Sequence, residues 1–181
     1  MRYMYRIIPF MALIIFSAVS CTTSKSFFTE SLKNNYNWSD NDLKNIQFYI
    51  SNDIVLWNEI QSGQSRISNG KIKTIDGKKI EEVVIKAGTP GVFLFSPKKD
   101  NLAISFDPND DSKYLIFGPS DKMRGRYVLL AKSWNNNLGK VTYGDQIYNT
   151  YAASAFVNLL VDINRSGRTK VVSSTPRGRK I

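Results

Sequence analysis

The chain has 181 residues, which is the length of one domain, with one cysteine and no histidine. The lack of histidine excludes Ser-His-Asp and Cys-His catalysis and removes the commonest general base near neutral pH. A single cysteine allows no internal disulfide and no zinc ligand set, so stability must come from packing.

The net charge of +10 comes from 25 basic and 15 acidic residues, and it is unevenly distributed. Two of the cations, Arg2 and Arg6, lie beside an apolar leader, and six more lie within residues 165–181, where there is no acid. The remaining 17 basic residues nearly balance the 15 acidic ones. Because the body is close to neutral and the leader predicts export, we expect no nucleic-acid partner.

Residues 1–21 have the order of a secretory signal. Arg2 and Arg6 precede an apolar run over residues 7–19, and small residues lead into Cys21. A charged start, an apolar run of about 7–15 residues and a small-residue boundary are typical of a signal peptide. The run is shorter than the roughly 20 residues that span a bilayer. We therefore predict a signal peptide over residues 1–20.

The segment Ala18-Val19-Ser20-Cys21 resembles the lipobox of bacterial lipoprotein precursors. The resemblance implies a diacylglycerol on the Cys21 thiol, cleavage before Cys21, and acylation of the new amine by a fatty acid such as palmitate. Thr22, instead of Asp, follows the cysteine, which by the same resemblance favours the outer membrane, facing the periplasm. Ala18 replaces the usual Leu, which leaves two alternatives: cleavage to a soluble secreted protein, or an uncleaved anchor.

A polar tether and then a short helix are predicted after the cysteine. Residues 21–37 are polar, mixed in charge and without a period, which is typical of a linker between lipid and domain. Ser39 can cap a helix whose first turn contains Asp42, an acid that complements the helix dipole. We expect this helix to last only a turn or two.

Strand patterns fill most of the remaining chain. Alternating apolar residues over Ile46–Ile60 predict a strand with one buried face, divided at Asn52-Asp53. Asn69-Gly70, Asp76-Gly77 and Gly144-Asp145 are typical hairpin turns. Other strands are predicted over residues 65–68, 71–75, 80–87, 92–95, 102–106, 114–117, 127–134, 141–143 and 146–149. Residues 152–163 suit a helix or a strand, and we favour a long strand because no helix stop precedes Asn164.

These patterns predict an all-β fold. We expect an antiparallel sandwich or partly open barrel of about 8–10 short strands over residues 38–164. A short N-terminal helix precedes the strands, and residues 165–181 form a flexible basic tail.

The carboxylates and loop oxygens give weak signals for chemistry. Glu59, Glu81 and Glu82 lie on predicted strands and could serve glycoside cleavage, which needs two carboxylates. Glu81 and Glu82 are adjacent and therefore point to opposite faces, and Glu59 lies on the solvent-exposed face. Asp107-x-Asn109-x-Asp111 has the spacing that opens a calcium loop, without the following Gly and the distant Glu. We predict no catalytic residue, no metal and no cofactor other than the lipid on Cys21.

Two groups of residues are candidates for binding. Trp57 and Trp134 could stack on sugars, although aromatic residues on strands more often pack against a sheet. The tail cations could contact an acidic polymer, lipid headgroups or a partner's acidic groove. They are Arg165, Arg168, Lys170, Arg177, Arg179 and Lys180.

We therefore expect a lipid-anchored, non-enzymatic accessory or scaffold protein of the bacterial cell envelope. It would contact the membrane through its N-terminal lipid and bind an envelope protein or an acidic polymer. Two alternatives remain: a carboxylate-dependent enzyme, or an aromatic glycan-binding module, acting on envelope polysaccharide or peptidoglycan.

Overall fold

The computed structural model describes residues 25–60, 70–75 and 77–163, and antiparallel strands in two sheets make up most of this part of the chain. The strands that form sheet A are β1 Lys25–Phe27, β2 Gln47–Ile50, β6 Pro90–Phe95, β7 Leu102–Ser105, β8 Tyr114–Ser120, β9 Arg126–Leu129 and β13 Leu159–Asp162. Those of sheet B are β3 Ile54–Glu59, β4 Lys71–Ile75, β5 Lys78–Ile85, β10 Ser133–Asn135, β11 Leu138–Tyr143 and β12 Gln146–Tyr151.

In both sheets, strands from distant parts of the chain are neighbours. Sheet A runs β1-β13-β2-β6-β7-β8-β9, and sheet B runs β10-β11-β12-β3-β5-β4. Two short helices, α1 Glu30–Asn35 and α2 Asp40–Leu43, lie between β1 and β2. The prediction of an all-β antiparallel fold is confirmed. The thirteen strands within the described residues exceed the expected number, because several are pieces of only three or four residues.

The two edges of sheet A meet. The Tyr127 amide donates to the Phe28 carbonyl at 3.1 Å, and the Leu129 amide donates to the Val157 carbonyl at 3.3 Å. These bonds join β9 to the residues that directly follow β1 and precede β13. Sheet A therefore curls until its two edges are linked by hydrogen bonds. The polar backbone groups at both edges thereby gain partners that open edge strands lack.

One apolar core joins the two sheets. Fully buried side chains of sheet A, such as Phe48 and Phe117, belong to the same cluster as Leu56 and Tyr148 of sheet B. In most strands of both sheets the core residues alternate with outward-facing ones, as a strand with one buried face requires, whereas all four residues of β7 are buried. Each sheet therefore has one face in the core, and the outer face of sheet B faces solvent.

Several local predictions are confirmed. Ser39 caps α2: its hydroxyl accepts from the Asp42 amide, and the Asp42 carboxylate accepts from the Ser39 amide at 2.9 Å, a capping box. The hydrogen bonds from the Ser39 side chain and backbone hold the pKa of Asp42 below its ordinary value. The alternating segment Ile46–Ile60 is divided at Asn52-Asp53 into β2 and β3, which pair in different sheets.

The tether prediction for residues 21–37 is wrong from Lys25 onward. Lys25–Phe27 pairs with β13 as an edge strand, and Thr29 caps α1 through a hydrogen bond from the Leu32 amide. Phe28 is completely buried and packs edge-on against Phe48 and Tyr127. Phe27 and Phe28 form an isolated pair within a polar stretch, and no period distinguishes the buried Phe28 from the exposed Phe27, so the pattern did not show that Phe28 belongs to the core.

The long strand favoured over residues 152–163 is also wrong. Ala152–Phe156 is a 3-10 helix, and only β13, Leu159–Asp162, is extended. The chain must cross here from β12 in sheet B to β13 in sheet A, which a straight strand cannot do. Ser154 holds the bend, because its hydroxyl accepts a 2.8 Å hydrogen bond from Thr150.

One smaller difference concerns the segment that contains β9 and β10. The predicted strand over 127–134 is two strands, β9 and β10, in different sheets. The tail over 165–181, the hairpin at Asn69-Gly70 and the strand over 65–68 lie wholly or partly outside the described residues.

None of the helices in the described ranges has the length and apolar character that crossing a bilayer requires.

Candidate functional site

The outer face of sheet B carries a group of exposed and half-buried apolar side chains, which we call the outer patch. It consists of Val55, Trp57, Val84, Leu138, Ile147 and Tyr151. Ile147 and Tyr151 are 52% and 53% exposed and are the most exposed members of the group. The strand registers align Leu138 with Tyr151, and Val55 with Val84. The patch therefore runs across four neighbouring strands, from β11 to β5.

Polar and charged groups border the outer patch and also cross it. Lys140 pairs with Asn149, Asn149 pairs with Trp57, and Trp57 pairs with Glu82. Asn149 therefore lies between Ile147 and Tyr151 on the outward side of β12. A depression of about 360 Å³ adjoins Leu138 and is lined by asparagines and Lys140. A mixture of apolar and polar side chains is the usual composition of a non-obligate protein-binding surface.

Trp57 contributes an aromatic pair to the outer patch. Its ring lies 6.4 Å from that of Tyr151 at an interplanar angle of 37°. The Trp57 Nε1 atom is shielded from solvent and has no acceptor within the described residues. The two rings are tilted rather than coplanar, so they do not form a flat stacking platform.

Trp134 lies on the other face of sheet B. Trp134 pairs with Gly139, and Gly139 pairs with Thr150, which is buried on the inner face. Trp57 instead pairs with Asn149, which faces outward. The Trp134 ring lies directly over Gly139, where a Cβ would come within 2.5 Å of it. The two tryptophans proposed from the sequence for glycan stacking are therefore on opposite faces and do not share a binding surface.

The three candidate glutamates are each partnered. On the outer face of sheet B, Glu59 accepts from Lys78 at 3.0 Å and Glu82 accepts from Lys73 at 2.5 Å. Glu81 points to the inner face, as the alternation predicts, and is buried. Glu59 and Glu82 lie on an open sheet face instead of across a cleft, an arrangement that differs from that of glycosidase carboxylates.

Glu81 belongs to a polar group inside the sandwich. The Tyr148 hydroxyl donates to Glu81 Oε2 at 3.3 Å, and the Gly70 amide donates to Oε1 at 3.2 Å. Burial raises the pKa of Tyr148 to about 12, and the neighbouring Glu81 carboxylate adds to the shift. Burial likewise raises the pKa of Tyr143 to about 12, with Asp107 and Asp110 contributing. Both tyrosines are therefore neutral hydrogen-bonding groups near neutral pH.

The loop considered for calcium contains a cation of its own. The buried Lys113 ammonium lies 3.4 Å from Asp107 Oδ2 and 3.5 Å from Asp110 Oδ2. The other Asp107 oxygen accepts from the Asn109 amide at 2.9 Å. Hydrogen bonds from Ser112 hold the pKa of Asp110 below its ordinary value. Within the described ranges no three carboxylate, thiol or imidazole side chains converge on a metal position.

Cys21 and the six tail cations proposed as contacts lie outside the described residues. The residues of the outer patch other than Trp57 were not predicted from the sequence as a binding surface. One feature of the sequence does indicate this surface. Val55 and Trp57 are apolar, although they occupy the outward positions of a strand whose other positions are buried. Apolar residues in both phases of a strand indicate either two covered faces or a docking face.

Comparisons of the chain with protein-family models, with curated proteins and with solved structures find no match. The fold itself defines the broad class: an all-β protein of two antiparallel sheets with a shared core.

Proposed function

We propose that the chain is a lipid-anchored, non-enzymatic accessory protein of the bacterial cell envelope, which binds a protein partner through the outer patch. The observation that carries the binding half is the exposure of Ile147 and Tyr151 on β12, within the four-strand region from β11 to β5. Isolated apolar residues on a surface need no explanation, whereas a continuous apolar group marks an interaction site. The leader and its lipobox-like end support the anchor half.

A protein partner fits the outer patch better than a sugar. Four of its six members are aliphatic, and its only aromatic pair is tilted. Aliphatic side chains bury well against another protein, whereas sugar binding relies on exposed flat rings and polar anchors. The bordering polar groups provide both signs of charge, through Lys140 on one side and Glu82 on the other. This mixture suits a partner surface with complementary charges.

Substitutions on opposite sides of the protein test the binding half. The double variant Ile147→Glu/Tyr151→Ser places charge and polarity in the outer patch. Val92→Glu is the matched control, because Val92 is 46% exposed on sheet A. After cross-linking in intact cells and purification of the full chain, the patch variant should lose the partner bands that the control keeps. Identical bands for all three proteins would reject the outer patch as the contact surface.

The anchor half is tested separately. A Cys21→Ser chain should leave the membrane fraction, and mass spectrometry of the wild-type mature N-terminus should find the lipid mass on Cys21. Ser20→Ala, which keeps the cysteine, is the control and should remain in the membrane fraction. Membrane association that is unchanged in Cys21→Ser would contradict lipid anchoring at this position.

A glycan-binding module remains a second candidate because of the Trp57–Tyr151 pair and the unpartnered Trp57 Nε1. It predicts that soluble peptidoglycan fragments change the tryptophan fluorescence of the wild type and leave that of Trp57→Phe unchanged. A carboxylate-dependent enzyme has less support, since Glu59 and Glu82 are paired with lysines and Glu81 with Tyr148.

A further inference from the structure

A groove of about 690 Å³ lies between the two sheets, and one of its wall residues, Thr142, stands opposite Ile147 of the outer patch. Residues from four separate segments form its walls: Pro97, Lys98 and Asn101; Tyr114 and Ile116; Leu130, Ala131 and Lys132; and Val141 and Thr142. Its volume falls in the range of about 300–1,000 Å³ that small-molecule sites occupy. The groove is thus a product of tertiary packing, and its size suits a small ligand.

Most of the groove wall is apolar. Tyr114 and Ile116 project from the side of β8 opposite to the core residues Leu115 and Phe117. Leu130 contributes a further half-exposed aliphatic side chain from the connection between β9 and β10. An apolar ligand body would cover these side chains and remove them from water.

The charged side chains of the wall have one sign. Lys98 and Lys132 line the groove, both are exposed, and no acid is part of the wall. Across the described ranges, neither ammonium lies within ion-pair distance of a carboxylate; the five lysines that form such pairs all lie elsewhere. Two cations without counter-ions beside an apolar wall favour a ligand that brings its own negative charge.

A polar group in the wall also lacks a partner. The Thr142 Oγ1 atom is shielded from solvent and has no hydrogen-bond partner within the part of the chain that the structure describes. Buried hydroxyls are normally hydrogen-bonded, so an unpaired one needs an explanation. The Thr142 oxygen is closed to solvent, so Thr142 contributes an unpaired polar group to the wall without being a direct ligand contact.

Gly118 determines the shape of the wall. A Cβ at this position would lie 2.6 Å from Asn101 Oδ1 and 2.7 Å from Leu130 Cδ1. Both neighbours line the groove, and they can approach each other only because residue 118 has no side chain. Gly118→Ala therefore changes the groove without changing its charge.

We infer that this groove binds an amphipathic anion, a molecule with an apolar body and one carboxylate, phosphate or sulfonate group. The apolar wall receives the body, and Lys98 and Lys132 neutralise the charge. The groove and the outer patch share no residue, although Thr142 stands opposite Ile147, so the variants that test the groove leave every residue of the outer patch in place.

Photochemical labelling of the full chain in non-ionic detergent tests this site. The probe is 4-benzoylbenzoate, which has an apolar body and one carboxylate, and its neutral analogue is 4-methylbenzophenone. Peptide mass spectrometry should place the adducts of the anionic probe in residues 97–101, 114–116 or 130–132. The neutral analogue should label these peptides about tenfold less, since it cannot interact with the lysines.

Three variants make the labelling specific. Lys98→Ala/Lys132→Ala and Gly118→Ala should each reduce groove labelling by about tenfold. Lys71→Ala/Lys79→Ala removes two exposed lysines of sheet B and should leave it unchanged. Circular dichroism melting curves check that each variant is folded. Labelling outside the groove, or equal labelling of the wild type and the Lys98/Lys132 variant, would overturn the inference.

Competition identifies the source of the anion. Dodecyl phosphate should displace the probe, and inorganic phosphate should not, because the free ion lacks the apolar body. Displacement by inorganic phosphate at the same concentration would reduce the groove to a simple anion site and contradict the inference. Displacement by a polyglutamate peptide in preference to dodecyl phosphate would also contradict it, by indicating an acidic protein segment as the occupant.

Discussion

The rings of Trp57 and Tyr151 lie 6.4 Å apart on the outer face of sheet B, on the neighbouring strands β3 and β12. Trp57 directly follows Leu56, and Tyr151 directly follows Thr150. Both of these preceding residues are completely buried. One side of these strands therefore supports the fold, and the other presents apolar groups to the surroundings.

Truncation of adjacent residues on β3 should have very different effects. Leu56 is fully buried, so Leu56→Ala should lower the free energy of unfolding by about 2–5 kcal/mol. Val55→Ala, one residue earlier on the outer face, should cost about 1 kcal/mol or less. Urea denaturation of both variants measures the difference. Equal losses would mean that the outer face is covered in the folded protein.

The hydroxyl of Tyr148 should contribute to stability through Glu81. Tyr148→Phe removes the donor 3.3 Å from Glu81 Oε2 and leaves the ring in the core. We expect a loss of about 1 kcal/mol in the free energy of unfolding, because a buried acceptor loses a partner. Tyr151→Phe, at an exposed tyrosine on the same strand, should have no measurable effect. A Tyr148→Phe protein as stable as the wild type would show that this hydrogen bond makes no net contribution.

Buried tyrosines should make the fold sensitive to alkali. Burial raises the pKa of Tyr143 and of Tyr148 from 10.0 to about 12. A group whose pKa is higher in the folded state binds its proton more tightly there, so its stabilising contribution is complete below pH 10. That contribution should be lost progressively as the pH rises from about 10 to 12.

Unfolding followed by circular dichroism, together with tyrosinate absorbance, measures this alkaline transition. The double variant Tyr143→Phe/Tyr148→Phe should depend less on pH in the same window. Burial also raises the pKa of Tyr127, so some alkaline sensitivity should remain. If the double variant and the wild type lost stability in parallel, these two hydroxyls would not be responsible for the transition.

The Lys113 ammonium should hold its loop together. It lies within 3.5 Å of carboxylate oxygens of Asp107 and Asp110, and its side chain is almost fully buried. Lys113→Met keeps the volume but leaves two carboxylates near each other without a cation, so we expect a loss of about 1–3 kcal/mol. Lys86→Met, which breaks an exposed ion pair with Asp53, should cost much less. Similar losses for both variants would contradict a special role for burial at Lys113.

The predictions that succeeded rest on local patterns. The capping box at Ser39 and Asp42 involves residues close in sequence, and the division of the chain at Asn52-Asp53 interrupts a clear alternation. The hairpin from β11 to β12 follows from Gly144, whose φ of 64° suits a tight turn. Such features depend on backbone preferences over a few residues, and a sequence pattern can show these preferences without any tertiary contact.

The failures each involve contacts between distant segments. Phe28 enters the core because β13 and β9, more than 90 residues later in the chain, lie on either side of its backbone. Ala152–Phe156 bends because the next strand belongs to the other sheet. Trp57 and Trp134 both occupy strands, but the registers that place them on opposite faces arise from pairings between several strands.

The sequence by itself determined the all-β class, the hairpin between β11 and β12, the lack of histidine chemistry and the expectation of a lipid on Cys21. These depend on composition and on patterns within a few residues. Only the tertiary structure decided which side chains became the outer patch, that Lys113 occupies the acidic loop, and that four separated segments enclose the groove. The reason is physical: strand pairing and core burial bring together residues far apart in the chain, and local preferences carry no information about those neighbours.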